Sequence, residues 1–323
     1  MTSISEQVSI ILSNDLLAAE LKLALFTSAL NSYRHDSCLR PFPNIFGDTC
    51  DKNIAVKQMK SLLSEFRPLA EMVNIISLMS EDCQKMIHWA LDSKIYSSKT
   101  CNKHVFDDVQ KKTGCSSYQV QPDYIFEIKY NTFSSQKFDD LAKMYGVKYG
   151  FHGSRMDNFH SIVNNGLQVH MVKNAVFGEG VYLSEDLSVS MPYISSGFTW
   201  QHSKLGQQIS CVAVCEVLDH PGVKCTMKTV NGANRSRANN SEAGEVPKKY
   251  FVVTSSDLVR VKYIFVFTDK TEKRNSAKCG MLCFRYPVLS IMLAYMLLLA
   301  FVSIWNSKTF QLIWRNYWYK KKF

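Results

Sequence analysis

Residues 151–155 (FHGSR) end a predicted strand and carry groups that suit the binding of a planar, sugar-bearing ligand. Gly153 has no Cβ, so its backbone N–H and C=O can both approach a planar amide and hydrogen-bond it in both senses. His152 and Ser154 add neutral donors and acceptors that suit sugar hydroxyls. The alternative for His152 is a histidine at the end of a strand whose ring nitrogens are satisfied within the protein.

Residues 177–193 (FGEGVYLSEDLSVSMPY) form a second segment with such groups. Gly178 and Gly180 allow a tight turn just before Tyr182. Tyr182 and Tyr193 lie 11 residues apart and offer flat faces to an aromatic ring. A plain turn with core or surface tyrosines is the alternative. Together the two segments favour a nucleotide- or sugar-binding cleft.

The elements around these segments are mostly strands. Short runs rich in Val, Ile, Tyr and Phe predict strands at 124–130, 147–153, 181–184, 209–218, 250–254 and 259–268. Helical patterns between them are few, at 137–145, 156–165 and 185–193. This order favours a β-rich α+β domain over a parallel βαβ array. The polar stretch 227–248 predicts a long mobile loop.

The first 95 or so residues predict a compact helical unit instead. Apolar periodicity indicates helices over 5–35, 54–64, 66–79 and 82–93, and RPFP at 40–43 interrupts them. Residues 13–15, Ser-Asn-Asp, are typical of a helix cap. Nothing in this unit has catalytic spacing, and His88 is interpreted as a residue on a helix face.

The formal net charge of the chain is +10. The distribution of this charge argues against a nucleic-acid-binding protein. Residues 270–323 hold ten basic residues and one acidic residue, which leaves 28 basic and 27 acidic residues in 1–269. Residues 1–269 are therefore nearly neutral and carry almost no excess positive charge for contacts to phosphates. The ten cysteines are scattered without histidines at zinc-ligand spacing, so we expect reduced thiols and no metal. Cys211 and Cys215 are expected in the core.

Residues 286–305 (YPVLSIMLAYMLLLAFVSIW) form an uncharged run of 20 residues. As a helix this run spans about 30 Å, the thickness of a bilayer's hydrocarbon core. Because it lies 18 residues before the last residue and no secretory signal is seen, we expect insertion after translation, with the body in the cytosol. The flanking basic residues number five on each side, so the positive-inside rule leaves the orientation open.

The two ligand-binding segments, in this order and spacing, resemble the catalytic domain of the poly(ADP-ribose) polymerase-type ADP-ribosyltransferases. The resemblance rests on HGS at 152–154, GEGVY at 178–182, Ser190 and Tyr193, and it is strongest over 120–268. With the helical start and the apolar segment near the C-terminus, the whole chain resembles the membrane-anchored mono-ADP-ribosyltransferases of that family. The resemblance implies an α+β fold with a split antiparallel β-sheet, and NAD as the substrate without a metal.

The resemblance also implies roles at the nicotinamide end of NAD. The backbone of Gly153 would hold the nicotinamide carboxamide, and the Ser190 hydroxyl would add a third hydrogen bond. Tyr193 would stack on the nicotinamide ring, with Tyr182 packed along its other side.

At the other end of NAD, the resemblance implies that His152 holds the adenosine ribose with help from Ser154. Residues 168–176 would form a loop over the NAD donor. His152, Tyr182 and Tyr250 occupy the three catalytic positions of the family.

Tyr250 departs from the family pattern, because the polymerases have Glu at this position. A phenol with a pKa of about 10 is neutral at pH 7 and cannot act as a carboxylate base. Chain elongation needs an activated ribose hydroxyl, so transfer of a single ADP-ribose to protein is expected instead of polymer synthesis. Glu245, five residues upstream, is the alternative carboxylate.

These observations predict a helical domain over 1–95, an ADP-ribosyltransferase domain over 96–270, a basic linker over 271–285, a transmembrane helix over 286–305 and a tail over 306–323. The expected partners are protein acceptors of ADP-ribose, including the chain itself, and a membrane, without nucleic acid. The resemblance implies the endoplasmic reticulum, with the continuous nuclear envelope as a second location and the tail in the lumen. A catalytically inactive NAD- or ADP-ribose-binding membrane adaptor is the alternative.

Overall fold

The computed structural model describes residues 3–47, 51–114, 120–172, 176–226, 235–238 and 240–268, with isolated positions between 292 and 303. Residues Met1–Asp269 form one compact unit and Lys270–Phe323 form a second. Within the first unit, helices fill residues 3–91, called here the helical region, and one sheet with its flanking helices fills 96–268, called here the sheet region.

The helical region is built from short capped helices around its own core. Among its described residues, the α-helices are α1 (Ile4–Asn14), α2 (Leu16–Asn31), α3 (His35–Cys38), α4 (Lys52–Leu63), α5 (Leu69–Ile75) and α6 (Glu81–Leu91). Ser3 and Glu6 form a capping box at the start of α1, which satisfies two of the free N–H groups there. The helical stretch predicted over 5–35 consists of two helices that meet within the predicted cap: extended Asp15 ends α1 and caps α2 through Ala18 N–H at 2.9 Å.

Helix α2 joins the two regions. Most of its side chains are buried, because one side packs in the helical core with Phe26 and Leu30 and the other packs under the sheet with Leu21 and Leu25. Polar side chains along α2 also reach the sheet region. At its start Asp15 accepts hydrogen bonds from the Thr100 N–H and hydroxyl, both at 2.7 Å. The two regions are therefore joined by the apolar packing of α2 and by hydrogen bonds from the residue that caps its start.

Nine strands of the described chain form one sheet in which all paired neighbours are antiparallel. The strands are β1 (Tyr96–Cys101), β2 (Tyr124–Tyr130), β3 (Val147–Gly153), β4 (Val181–Ser184), β5 (Gly197–Phe198), β6 (Gln208–Leu218), β7 (Val223–Lys224), β8 (Tyr250–Val253) and β9 (Val259–Thr268). The order is β1-β2-β9-β6-β3-β4-β8-β7, with β5 beside β6. The α+β expectation is confirmed, and helices precede an antiparallel sheet.

The sheet is divided between β3 and β4. These strands pair at a single position, Phe151 with Ser184, whereas β3 pairs with β6 along all seven of its residues and β4 pairs with β8 along all four of its own. Of the described strands, six therefore lie on one side of this junction, counting β5 beside β6, and three lie on the other. The division falls at the end of β3, where the sequence predicted the ligand-binding residues.

Helices cover both faces of the sheet. They are α7 (His104–Thr113), α8 (Thr132–Tyr145), α9 (Phe159–Asn165) and α10 (Leu187–Ser190). The helix predicted at 137–145 begins earlier because the Asn131 side chain accepts from Ser134 N–H. The segment 185–193 is a short helix followed by a 3₁₀ turn. Helix α7 and strand β1 lie in residues for which no element was predicted. Cys211 and Cys215 are fully buried, as expected.

The second unit is described only at scattered positions. Those between Met292 and Ser303 are helical, and the large apolar side chains among them are exposed, with Met296 65% exposed. The rest of the predicted transmembrane helix, 286–305, lies outside the described residues. Among the residues that are described, the structure has no helix of sufficient length and apolarity to cross a membrane.

Candidate active site

His152 lies at the junction where β3 and β4 separate. Its Nδ1 is 2.9 Å from the carbonyl oxygen of Tyr182. A carbonyl can only accept, so Nδ1 carries the proton and the neutral ring presents Nε2 as an acceptor. Burial lowers the pKa of His152, while the bond to Tyr182 opposes that shift. The imidazole is therefore held in one orientation, neutral at pH 7, across the division of the sheet.

Gly153, Ser190 and Tyr193, which the resemblance assigns to the nicotinamide end, are packed together. A Cβ on Gly153 would overlap the Ser190 carbonyl oxygen and lie 3.2 Å from the Tyr193 Cβ. The buried Ser190 hydroxyl donates to the Phe151 carbonyl at 3.1 Å, which fixes α10 against β3. The Tyr193 side chain is exposed. This corner of the site is therefore defined by close backbone packing, and an exposed ring lies beside it.

Tyr182 anchors the glycine turn that precedes it. Its hydroxyl accepts from the Phe177 N–H and donates to the Gly178 carbonyl, both at 2.8 Å. Gly178 has φ +98°, a left-handed conformation that favours glycine. The Phe177 ring lies 6.5 Å from the ring of Tyr182 and the same distance from that of Tyr250. The tight turn expected here is present, and the Phe177 ring lies between Tyr182 and Tyr250, two of the three residues predicted to be catalytic.

Tyr250 begins β8 and faces Ser184 across the strand pair. Burial raises the pKa of Tyr250, and Tyr193 and Asp186 raise it further, so the phenol is neutral at pH 7. The Asp186 carboxylate lies 3.3 Å from Lys249 Nζ. Lys249 adopts φ +68°, which is uncommon for a residue with a side chain. A charged pair and a constrained backbone thus adjoin Tyr250, the third residue predicted to be catalytic.

Ser154 stands just past β3, where a neighbouring side chain holds its hydroxyl. The Asn158 Nδ2 donates to Ser154 Oγ at 2.9 Å. Asn158 Oδ1 in turn accepts from Arg34 of the helical region at 3.0 Å. Among the described site residues that the resemblance implies, Ser154 is thus the one that side-chain hydrogen bonds connect, through Asn158, to the helical region.

Glu245, the alternative carboxylate, is exposed and accepts a hydrogen bond from the Ser236 hydroxyl at 2.7 Å. Part of the loop predicted over 227–248 and residues 173–175 of the predicted donor loop lie outside the described residues. Within the described ranges, no cluster of three or more His, Cys, Asp and Glu side chains is arranged to hold a metal ion.

Asp186, Lys249, Arg34 and Asn158 were missed at the sequence level. Lys249 directly precedes Tyr250, and Asp186 lies within the SEDLS segment, so adjacency to a predicted residue was an available signal for both. Arg34 and Asn158 are separated by 124 positions in the chain, and nothing in their local sequence indicates that they meet.

The fold and this site define a class of protein: an antiparallel sheet divided beside a strand-end histidine, with a glycine, a serine and two tyrosines packed at the division. Comparison with known proteins agrees with this class. Residues 103–269 match the poly(ADP-ribose) polymerase catalytic domain, and residues 11–91 match the ARTD15 N-terminal domain.

Three relatives illustrate the range of similarity. The chain is 42% identical to protein mono-ADP-ribosyltransferase PARP16 of Mus musculus over 314 residues, which cover 94% of this chain and 95% of the relative. It is 41% identical to PARP16 of Homo sapiens over 312 residues, 94% of each chain. With protein mono-ADP-ribosyltransferase PARP8 of Mus musculus it shares 28% identity over 163 residues, 41% of this chain and 17% of the relative.

The chain therefore belongs to the poly(ADP-ribose) polymerase family, and it is an ADP-ribosyltransferase enzyme. Catalytic domains of this family use NAD as the substrate.

Proposed function

We propose that the protein is a membrane-anchored mono-ADP-ribosyltransferase that transfers one ADP-ribose from NAD to protein side chains and releases nicotinamide. The observation that carries the proposal is the arrangement at the end of β3. There His152 is bonded to Tyr182, and Gly153 is packed against Ser190 beside Tyr193. The similarity to PARP16 over both regions supports the same proposal.

In the proposed site, the Gly153 backbone and the Ser190 hydroxyl hold the nicotinamide carboxamide between the rings of Tyr193 and Tyr182. Ser190 now donates to the Phe151 carbonyl, so its hydroxyl would accept from the carboxamide or rotate toward it. At the ribose end, His152 Nε2 accepts from a ribose hydroxyl. Residues 168–176 form the loop over the donor.

The reaction is a substitution at C1′ of the nicotinamide ribose. The C1′–N bond breaks and its electron pair leaves with nicotinamide, so positive charge develops on the ribose. The lone pair of an acceptor side chain then forms the new bond to C1′, and the proton of the acceptor passes to water. Because the neutral Tyr250 phenol cannot act as a base, the site acts by positioning the two reactants and stabilising the developing charge.

Tyr250 supports transfer of one unit instead of a polymer. We infer that Tyr250 stands where the polymerases have Glu. Its raised pKa keeps the hydroxyl protonated, so it can hydrogen-bond the nicotinamide ribose but cannot deprotonate a ribose hydroxyl for chain growth. The acceptor side chain must therefore supply its own nucleophile.

The test is label transfer from NAD to protein together with nicotinamide release by the full chain. His152→Ala and Tyr182→Ala are expected to lower both by about 100-fold or more, because each removes a group that holds the donor. His88→Ala is the matched control, since that histidine pairs with Asp92 on a helix of the other region. Unchanged activity in a folded His152→Ala variant contradicts the proposal.

The same measurements separate the second candidate, a catalytically inactive NAD- or ADP-ribose-binding membrane adaptor. The neutral phenol at position 250 favours it. Binding of ADP-ribose without any nicotinamide release by the wild-type chain would support the adaptor and exclude the enzyme.

We further propose that residues 286–305 cross the endoplasmic reticulum membrane once, with the catalytic part in the cytosol and residues 306–323 in the lumen. The continuous nuclear envelope is included in this proposal. The uncharged run of 20 residues supports it.

Two glycosylation sequons test this orientation, at 234–236 (NRS) and 239–241 (NNS). Neither should carry a glycan if this part of the chain is cytosolic. An endoglycosidase-sensitive decrease in mass would place it in the lumen and reverse the topology.

A further inference from the structure

The corner after α2 in the helical region contacts the segment that follows β3. Arg34 donates to Asn158 Oδ1 at 3.0 Å, and the Cys38 thiol points to the same oxygen at 3.3 Å. Arg34 and Ser32 also bind the Asp157 carboxylate, with Ser32 Oγ at 2.7 Å from Asp157 Oδ2. The junction therefore has two adjacent parts, one at Asp157 and one at Asn158.

The part at Asn158 has only one chemically sensible orientation. A guanidinium group has donors and no acceptor, so the oxygen of the Asn158 amide must face Arg34. A flipped amide would place its NH₂ group against the NH₂ of Arg34, and neither could accept. The Asn158 Nδ2 must then face Ser154, to whose Oγ it donates at 2.9 Å.

The orientation of this amide determines the direction of the Ser154 hydroxyl. An oxygen that accepts from Nδ2 turns its own O–H away from that donor, because a hydroxyl has one donor and two acceptor positions. Ser154 therefore has its proton available for another acceptor. Were Asn158 reversed, Ser154 would donate to the amide oxygen and present only lone pairs to a ligand.

We propose that Arg34 is a positioning residue for the adenosine end of NAD: it fixes the Asn158 amide so that Ser154 donates a hydrogen bond to the adenosine ribose. This inference rests on the proposed function, from which the place of the adenosine ribose beside Ser154 is taken. Arg34 acts through Asn158 and Ser154, so the helical region takes part in donor binding indirectly, by orienting these two side chains.

The test compares two probes of the NAD site in the full chain, ADP-ribose and benzamide, by calorimetry. Arg34→Ala is expected to weaken ADP-ribose binding about 5- to 10-fold, the effect of one lost hydrogen bond. Benzamide, which occupies only the nicotinamide end, should bind within about twofold of wild type, below the effect of one hydrogen bond.

Two further variants test whether Arg34 acts by orienting the Asn158 amide or only by holding the helical region against the sheet region. Ser32→Ala removes the bond to Asp157 and the acceptor of the Arg34 backbone N–H, but it leaves the bond from the Arg34 guanidinium to Asn158, and ADP-ribose affinity should be unchanged. Asn158→Asp keeps the shape of the side chain but has no N–H, so Ser154 must donate to it. This variant should weaken ADP-ribose binding about 10-fold, even if Arg34→Ala fails to fold.

A double-mutant cycle completes the test. In a Ser154→Ala background, Arg34→Ala should have no further effect on ADP-ribose affinity, because both changes remove the same bond. Equal weakening by Ser32→Ala and Arg34→Ala would overturn the proposal, as would full affinity in Asn158→Asp. A wild-type chain that binds neither probe would instead reject the proposed function itself.

Discussion

The two ends of the proposed NAD site are built by different means. At the nicotinamide end, Gly153 touches Ser190 and Tyr193 through backbone packing, and every residue belongs to the sheet region. At the adenosine end, Ser154 is held by directional hydrogen bonds that lead to Arg34 in the helical region. A packed corner tolerates no added atom, whereas a hydrogen-bonded one can be weakened in steps. The difference predicts that substitutions will affect the two ends independently.

The largest effect is expected from Gly153→Ala. The added methyl group would overlap the Ser190 carbonyl oxygen, so β3 and α10 must separate. Benzamide affinity and nicotinamide release should both fall by about 100-fold or more, since a shift of about 1 Å in a positioned group has effects of this size.

Gly114→Ala is the matched control, because Gly114 has φ +68° with no atom within 4 Å of an added Cβ. It should cost about 1 kcal/mol of stability and leave both activities unchanged. Near-normal benzamide binding by Gly153→Ala would show that close packing does not define the nicotinamide end.

A second prediction concerns Glu20, another contact of α2 with the sheet region. Glu20 is fully buried and accepts from the Lys204 N–H at 3.2 Å. Burial raises the pKa of Glu20 to about 7, while Lys204, Ser203 and Trp200 oppose the shift. The folded state therefore retains a proton that the unfolded state releases near the ordinary glutamate pKa of 4.5, and stability falls as pH rises from this value to about 7.

Glu20→Gln removes this ionisation with little change in shape. At pH 8 the variant should be more stable to denaturant than wild type by about 2 kcal/mol, and near pH 4.5 the two should be similar. Benzamide affinity should not change. A variant that is less stable than wild type at pH 8 would show that the ionised carboxylate stabilises the junction, contrary to this account.

The sequence predicted the features that depend on local residue patterns, such as the nicotinamide end, and did not predict those that depend on contacts between distant residues. His152, Gly153, Tyr182, Ser190 and Tyr193 were found because they lie in two short segments with recognisable spacing, and the structure brings these segments together. Six strands were predicted nearly to the residue, since their Val-, Ile- and aromatic-rich runs are bounded by turn residues.

The features that the sequence did not predict depend on contacts between residues that are far apart in the chain. The bond between Arg34 and Asn158 requires the helical region to be docked on the sheet region, which no local pattern specifies. Strand β1 has the polar sequence YSSKTC and is held by pairing with β2 and by Asp15, so its own residues gave no strand pattern. Helix α7, HVFDDVQKKT, has few apolar residues and buries only one side under the sheet.

The smallest effect is expected from pH, and it concerns His152, which lies between the two ends. Burial lowers its pKa below the ordinary value of 6.5, so the ring stays neutral and Nε2 remains an acceptor down to that pH. ADP-ribose affinity should therefore be nearly constant from about pH 8 to about 6.5, whereas an unshifted histidine would be half protonated at the lower value. The same shift means that the contribution of His152 to stability is lost as pH falls below about 6.5, because the unfolded state then binds the proton more readily. The measurement is calorimetric titration of wild type and of His152→Gln with ADP-ribose, from about pH 8 to about pH 6.5. A twofold or larger loss of affinity toward pH 6.5 in wild type, absent in His152→Gln, would show that His152 titrates normally and that burial does not keep the ring neutral.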